Sequence, residues 1–199
     1  MEETAVVPDV KRKSAFREYA ESLIVAVLLA LVVRTFFVQA FKIPTGSMRP
    51  TLVEGDRILV DKITYGIKIP LTAWRLPDIR PPRRGDLVVF RAVDDPRRDF
   101  IKRLVAVGGD TLEIREMRLW INGRPLTDPS VFREMTYYNR GTFGQEGRPI
   151  QVPAGHYFFL GDNSASSRDS RYWGFLPESH VIGRAFLIYW PPRRVRVLR

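Results

Sequence analysis

The sequence has 199 residues, 45% of them hydrophobic and 27% charged, which is typical of a folded protein rather than a disordered one. Because it has no cysteine and only two histidines, disulfides, thiol nucleophiles, thiolate metal sites and three-histidine metal sites are excluded. The formal charge of +10 favours anionic partners. The chain shows no zinc-finger, RRM or KH signature, so we expect a membrane lipid, most simply an anionic one, and no nucleic acid as partner.

The N-terminal region combines a basic cluster, Lys11–Lys13, with an uninterrupted run of 11 apolar residues, Leu23–Val33. From 18 to 41 the segment is long enough to cross a bilayer, and Arg34 can reach the interface from a helix end. We therefore predict a cytoplasmic tail over residues 1–17, a transmembrane anchor over 18–40 and the remaining residues across the membrane. A cleavable signal peptide that ends near Ala40 and a buried amphipathic helix are the alternatives.

The next stretch, Phe41–Leu52, places small hydroxyl residues on a forced turn. Pro44 and Gly46 constrain and then turn the backbone around Ser47. Such a turn presents a nucleophile well, but Ser, Thr, Gly and Pro are also the ordinary residues of surface turns. The stretch alone leaves both interpretations open.

Most of the remaining chain alternates in the manner of β-strands. Strands are predicted over 56–63, 86–90, 100–107, 157–160 and 181–190, with a hairpin from 111 to 121 that continues through an Asn122-Gly123 turn. Residues 127–150 are expected to form a loop or insertion. In the proline-rich loop 64–84, three apolar residues either enter a membrane interface or pack beneath the loop: Leu71, Trp74 and Leu76.

A serine nucleophile needs a base. His156 stands at a strand entry without any motif and is better explained as a structural histidine. Lys102 is set among apolar strand residues, where desolvation would lower its pKa and free its neutral form to act as a base. The alternative is that Lys102 reaches solvent or pairs with Asp99 or Asp110.

Ordered motifs along the chain resemble those of bacterial type I signal peptidases, which are Ser/Lys serine endopeptidases. The similar segments are Ile43–Leu52, Gly55-Asp56, Arg84–Phe90, Ile101–Asp110, Gly161–Asn163 and Asp169–Gly174. The resemblance implies a membrane-bound hydrolase, without cofactor or metal, that removes signal peptides from exported preproteins. It also implies a location in the bacterial cytoplasmic membrane, with a single anchor and the catalytic domain on the outer face.

The resemblance also assigns roles to residues. Ser47 corresponds to the nucleophile, Lys102 to the general base, and Ser167 to the serine that hydrogen-bonds and orients the lysine. Thr45 and the Ser47 backbone N–H correspond to the oxyanion hole, whose donors stabilise the tetrahedral intermediate. A shallow substrate pocket for small side chains corresponds to Phe41, Ile43, Met48, Leu52, Ile58, Val89, Phe100 and Ile101. A structural network around the site corresponds to Asp162, Asp169 and Arg171.

The implied fold is mostly antiparallel β, with one N-terminal transmembrane helix and a small inserted β region. The catalytic domain would comprise residues 41–110 and 155–199, and the insertion residues 111–154. Ser164 stands where the family usually has arginine, which weakens the assignment of an ion pair to Asp162 but leaves Ser167 in register. Two other functions stay open: a LexA-like self-cleaving regulator, which lacks its DNA-binding module here, and a secreted or anchored basic β binding domain without protease activity.

Overall fold

The computed structural model describes residues 15–66 and 77–198. The basic cluster at 11–13 and the three apolar residues predicted to enter or pack under the 64–84 loop lie outside these ranges. The helices are α1 (Ala15–Phe36), α2 (Val131–Glu134) and α3 (Ser170–Trp173). The strands are β1 (Val38–Lys42), β2 (Arg57–Asp61), β3 (Leu87–Arg91), β4 (Asp99–Val107), β5 (Thr111–Arg115), β6 (Arg118–Ile121), β7 (Arg124–Pro125), β8 (Ile150–Gln151), β9 (His156–Leu160), β10 (Leu176–Pro177), β11 (Val181–Trp190) and β12 (Arg196–Val197).

The main sheet has eight strands in the order β1-β2-β11-β3-β4-β9-β10, with β12 added to β11, and every pair is antiparallel. The strand β4 lies between β3 and β9, so it is hydrogen-bonded on both edges. The predicted mostly antiparallel β fold is confirmed, and β4 holds the lysine that the sequence singled out.

A second, four-stranded sheet in the order β7-β6-β5-β8 is built from residues 111–151. Its inward residues alternate along β5 and β6 and join one core cluster with β4 and β9 residues, which include Val105 and Phe158. Alternate residues of β9, such as Phe159, enter a different cluster. The main sheet is therefore covered on both faces where β4 and β9 meet, which explains why β4 is buried along most of its length.

The helix α1 contains the one segment in the described ranges that is long and apolar enough to cross a membrane, Phe16–Phe36. Its side chains are exposed in the isolated chain. The helix ends at Phe36, before the predicted anchor boundary at Ala40, because Val38–Lys42 pair with β2 instead. The β-sheet hydrogen bonds thus shorten the apolar helix from its C-terminal end.

The hairpin predicted over 111–121 and the Asn122-Gly123 turn are both present, but the turn lies at the end of that hairpin and not between its two strands. The Asn122-Gly123 turn has positive φ at both residues, as expected of a type I′ hairpin turn, but it joins β6 to the short β7. The preceding turn between β5 and β6 is made by Glu116 and Met117, which also have positive φ. Glutamate and methionine rarely adopt this conformation, so this turn could not be predicted from its residues.

Candidate active site

Ser47 lies in a single 3₁₀ turn, Gly46–Met48, which begins four residues after the end of the edge strand β1. Met48 and Leu52 are fully buried, and the Leu52 N–H donates to the Met48 carbonyl over 2.9 Å. These apolar residues fix the turn to the core. Ser47 is half-buried and faces a cavity.

Asn163, in the loop after β9, holds this turn from the other side. Its backbone N–H donates to the Ser47 carbonyl and its Nδ2 donates to the Gly46 carbonyl, both over 3.1 Å. The Gly46 carbonyl and the Ser47 N–H belong to one planar peptide group. The side chain of Asn163 therefore fixes the direction in which the Ser47 N–H points. The sequence-based assignment missed this residue.

Lys102 projects from β4 to the same turn, with its Nζ 2.5 Å from Ser47 Oγ. Its side chain is nearly inaccessible, at 4% exposure. Burial lowers the pKa of Lys102 to about 8, against the opposing influence of the Asp169 and Asp162 carboxylates. Lys102 forms no ion pair in the described parts of the chain. Asp110 binds Arg84 instead, and no carboxylate oxygen of Asp99 lies within 4 Å of Lys102 Nζ. The solvated or ion-paired alternative for this lysine is therefore wrong.

Two buried ion pairs lie around Lys102. Arg171 binds Asp169 through two hydrogen bonds of 2.8 Å, and Arg103 binds Asp162 through bonds of 2.8 and 2.6 Å. Arg171 and Asp169 are fully buried and Arg103 is 2% exposed. The structure thus brings together the residues predicted to form a network and adds Arg103, which the sequence placed beside Lys102 on β4 without assigning it a partner.

Asp162 forms an ion pair although serine stands at position 164. Asp162 has a complete bidentate pair, supplied by Arg103. Ser164, which replaces the usual arginine, accepts hydrogen bonds through its Oγ from Arg171 Nη1 and from the Tyr138 N–H. The sequence did not indicate the partner of Asp162, because Arg103 lies on a strand remote in sequence.

Ser167 is buried at 6% exposure, and its hydroxyl has no hydrogen-bond partner in the described residues. The hydrogen bond expected between Ser167 and Lys102 is thus not formed in this structure. The Ser167 side chain and the Ser47 carbonyl both approach the α-carbon of Gly161 so closely that a methyl group there would collide with them. Gly161 is therefore required for this close approach.

The cavity in front of Ser47 has a volume of about 510 Å³. Four of the eight predicted pocket residues line it: Ile43, Met48, Phe100 and Ile101. The other four do not, because Leu52, Ile58 and Val89 are enclosed in the core cluster behind the cavity and Phe41 packs against that cluster. Thr45 also lines the cavity, with an exposed side chain.

Neither histidine lies at this cavity. The Nδ1 atoms of His156 and His180 contact backbone carbonyls, those of Ala154 and Arg91 respectively. The carboxylates Asp162 and Asp169 each bind an arginine. In the described part of the chain, no group of three or more His, Asp or Glu residues is arranged to hold a metal ion. The reactive pair that this cavity presents is thus a hydroxyl beside a desolvated amine.

Comparisons with known proteins identify the family of the chain. Residues 16–190 match the family model described as signal peptidase, peptidase S26. The chain is 36% identical to the signal peptidase I of Pseudomonas aeruginosa over 94% of its length and 78% of that protein. It is 33% identical to a probable signal peptidase I-2 of Synechocystis, over 98% of this chain and 83% of that one. A crystal structure of a signal peptidase I from Enterococcus faecalis aligns with a TM-score of 0.42 at 30% identity, over 54% of this chain and 98% of that one.

Proposed function

Because the chain belongs to the peptidase S26 family of signal peptidases and is a serine peptidase that acts on signal peptides, we propose that it uses a Ser47/Lys102 dyad. The observation that carries this assignment is the 2.5 Å separation between Ser47 Oγ and the desolvated Lys102 Nζ. Desolvation favours the neutral amine, and a neutral amine beside the hydroxyl can take its proton.

In the proposed acylation step, Lys102 Nζ accepts the Ser47 hydroxyl proton while Oγ attacks the carbonyl carbon of the scissile bond. The carbonyl oxygen becomes an oxyanion, which the Ser47 N–H and the Thr45 hydroxyl stabilise. The intermediate then collapses, the C–N bond breaks, and the Lys102 ammonium returns its proton to the leaving amine. Water hydrolyses the resulting ester by the same route, with Lys102 again as base.

Ser167 enters this scheme after acylation. Its buried hydroxyl has no hydrogen-bond partner among the residues that the structure describes, and it lies against Gly161 next to the nucleophile turn. Once Ser47 Oγ is an ester oxygen it is a poorer acceptor, and Lys102 needs another group to hold its orientation. We assign that part to Ser167.

Substrate selection is proposed to follow from the apolar wall of the cavity, made by Ile43, Met48, Phe100 and Ile101. A shallow apolar wall accepts a small side chain such as that of alanine and offers no polar partner to a larger polar one. Signal peptides with small residues before the scissile bond are thus the proposed substrates.

The helix α1 is proposed as the anchor in the bacterial cytoplasmic membrane, with the N-terminus cytoplasmic and the catalytic domain on the outer face. Its length and composition support this, and the basic surface would contact anionic lipid. Protease digestion of intact spheroplasts tests the orientation. A catalytic domain protected from protease until lysis would contradict it.

The dyad is tested by cleavage of a preprotein with an Ala-x-Ala junction by the purified chain in detergent. Ser47→Ala and Lys102→Met should remove product formation. Two matched controls with exposed positions away from the cavity, Ser130→Ala and Lys42→Met, should cleave like the parent. Equal product from all five proteins would refute the dyad.

A further inference from the structure

A second cavity, of about 340 Å³, lies where α1 meets the main sheet. Its wall includes Thr35 and Phe36 at the end of the helix, Lys62 after β2, Arg91 at the end of β3, and His180 before β11. Asp99, at the start of β4, is the one carboxylate among the residues that line it. The cavity is separate from the one that contains Ser47, although Asp99 contributes to both.

The charge in this cavity is predominantly positive and locally uncompensated. Lys62 and Arg91 form no ion pair within the described ranges, since no carboxylate oxygen lies within 4 Å of either cation. Arg34 is near enough that its charge, after burial, is the second cause of the lowered pKa of Lys62. Asp99 balances only one of these cations.

Lys62 also connects the helix to the domain. Its Nζ donates to the Thr35 carbonyl over 3.0 Å, and its backbone N–H donates to the Phe37 carbonyl over 3.0 Å. The Thr35 bond uses one of the three ammonium protons, so two stay available to an anion. The contact also offsets the partial negative charge of the helix end, which would otherwise repel an anion here.

The level at which the cavity would lie in the membrane indicates the class of anion that it binds. The 21 residues of the apolar helix rise about 31 Å, close to the thickness of a hydrocarbon core of about 30 Å. If α1 is the anchor proposed above, its C-terminal end and the cavity beside it lie at the level of the lipid phosphates. The backbone of an extended substrate segment carries no charge of its own to match Lys62 and Arg91, whereas every anionic headgroup does.

We propose that this cavity binds the phosphate of an anionic phospholipid headgroup through Lys62 and Arg91. The inference rests on the proposed anchoring of α1 but not on the proposed dyad. The bound phosphate would fix the angle between the helix and the sheet, since its ligands come from β2 and β3 while the helix end forms the opposite wall.

The test uses the full chain in detergent, titrated with phosphatidylglycerol or with phosphatidylcholine of the same acyl chains, and counts bound lipid by native mass spectrometry. The double variant Lys62→Gln/Arg91→Gln removes two positive charges from the cavity. Its matched control, Arg124→Gln/Arg148→Gln, removes two from exposed positions of the second sheet region. We expect the parent to prefer phosphatidylglycerol and the cavity variant to lose about thirtyfold of that preference, while the control retains it.

Each other outcome overturns the proposal. A parent without preference, or equal losses in both double variants, would mean that the attraction is a property of the whole basic surface. Inorganic phosphate that competes as well as the headgroup would identify a free-phosphate site. An unchanged lipid preference with a raised KM for preprotein would assign the cavity to substrate. Failure of the parent to co-sediment with vesicles would instead count against the anchor.

Discussion

Replacing Lys102 by methionine should abolish cleavage and stabilise the fold at neutral pH. The folded chain holds the Lys102 pKa near 8 instead of its ordinary 10.5, mainly because the side chain is buried. This difference corresponds to a penalty of about 3 kcal/mol for the ammonium form in the folded state. The variant loses the contact with Ser47, which contributes about 1 kcal/mol. A net gain of about 2 kcal/mol in the free energy of unfolding is thus expected.

The gain should depend on pH in a defined direction. Below about pH 8 the lysine is protonated in both folded and unfolded chains, so the full penalty is present. Between the two pKa values the unfolded chain binds more protons, and the parent therefore becomes more stable as the pH rises. Above the unfolded pKa the penalty has vanished and only the lost Ser47 contact remains, so the variant should there be less stable than the parent by about 1 kcal/mol.

Urea unfolding in detergent, followed by tryptophan fluorescence over this range of pH, measures the effect. Lys42→Met is the control, because it makes the same replacement at an exposed lysine. In parallel, kcat/KM of the parent should rise with pH around a midpoint near 8. A variant that is less stable than the parent at neutral pH, or a rate that does not vary over this range, would refute the assignment of Lys102 as a buried base.

Three other substitutions probe the support of the site. Asn163→Ala removes the donor to the Gly46 carbonyl. It should lower kcat about tenfold or more with little change in KM, because the oxyanion donor loses its orientation. An equal rise in KM in steady-state kinetics would contradict this. Gly161→Ala should abolish activity by displacing the nucleophile turn, and an active, folded variant would show that the turn tolerates the methyl group. Arg103→Met should lower the free energy of unfolding in urea by about 3–5 kcal/mol, because it leaves Asp162 buried and unpaired. The added change Asp162→Leu should restore much of that loss. Additive losses from the two substitutions would argue against this pair.

The main strands could be predicted because each carries a clear alternation or a β-branched apolar run. The strand predicted over 100–107 begins one residue after the first residue of β4, Asp99, and ends with it at Val107. The end of α1 could not be predicted, because the apolar run continues through Val38. Only the pairing with β2 shows where the helix stops. Local hydrophobicity does not distinguish a membrane helix from the edge strand that follows it.

In the site, too, features that depend on neighbouring residues could be predicted from the sequence, and features that depend on remote residues could not. The turn at Ser47 follows from its proline and glycine, and the burial of Lys102 follows from its apolar neighbours. The partner of Asp162 depends on strand order in the folded sheet, since Arg103 is 59 positions away in the chain. The predicted pocket residues divide between the cavity and the core for a related reason. Val89 is opposite Ile101 in the β3–β4 register, but Val89 is enclosed in the core and Ile101 reaches the cavity.

The two buried ion pairs give a physical reason why the carboxylates near Lys102 do not hold it permanently protonated. Alone, the carboxylates Asp162 and Asp169 would hold the lysine protonated, and both do raise its pKa. Each is already bound by an arginine, so its field at Lys102 is largely cancelled, and Arg171 lowers the lysine pKa in turn. Burial therefore prevails by a limited amount, and the pKa settles near 8, where the amine can both accept the serine proton and return it to the leaving group.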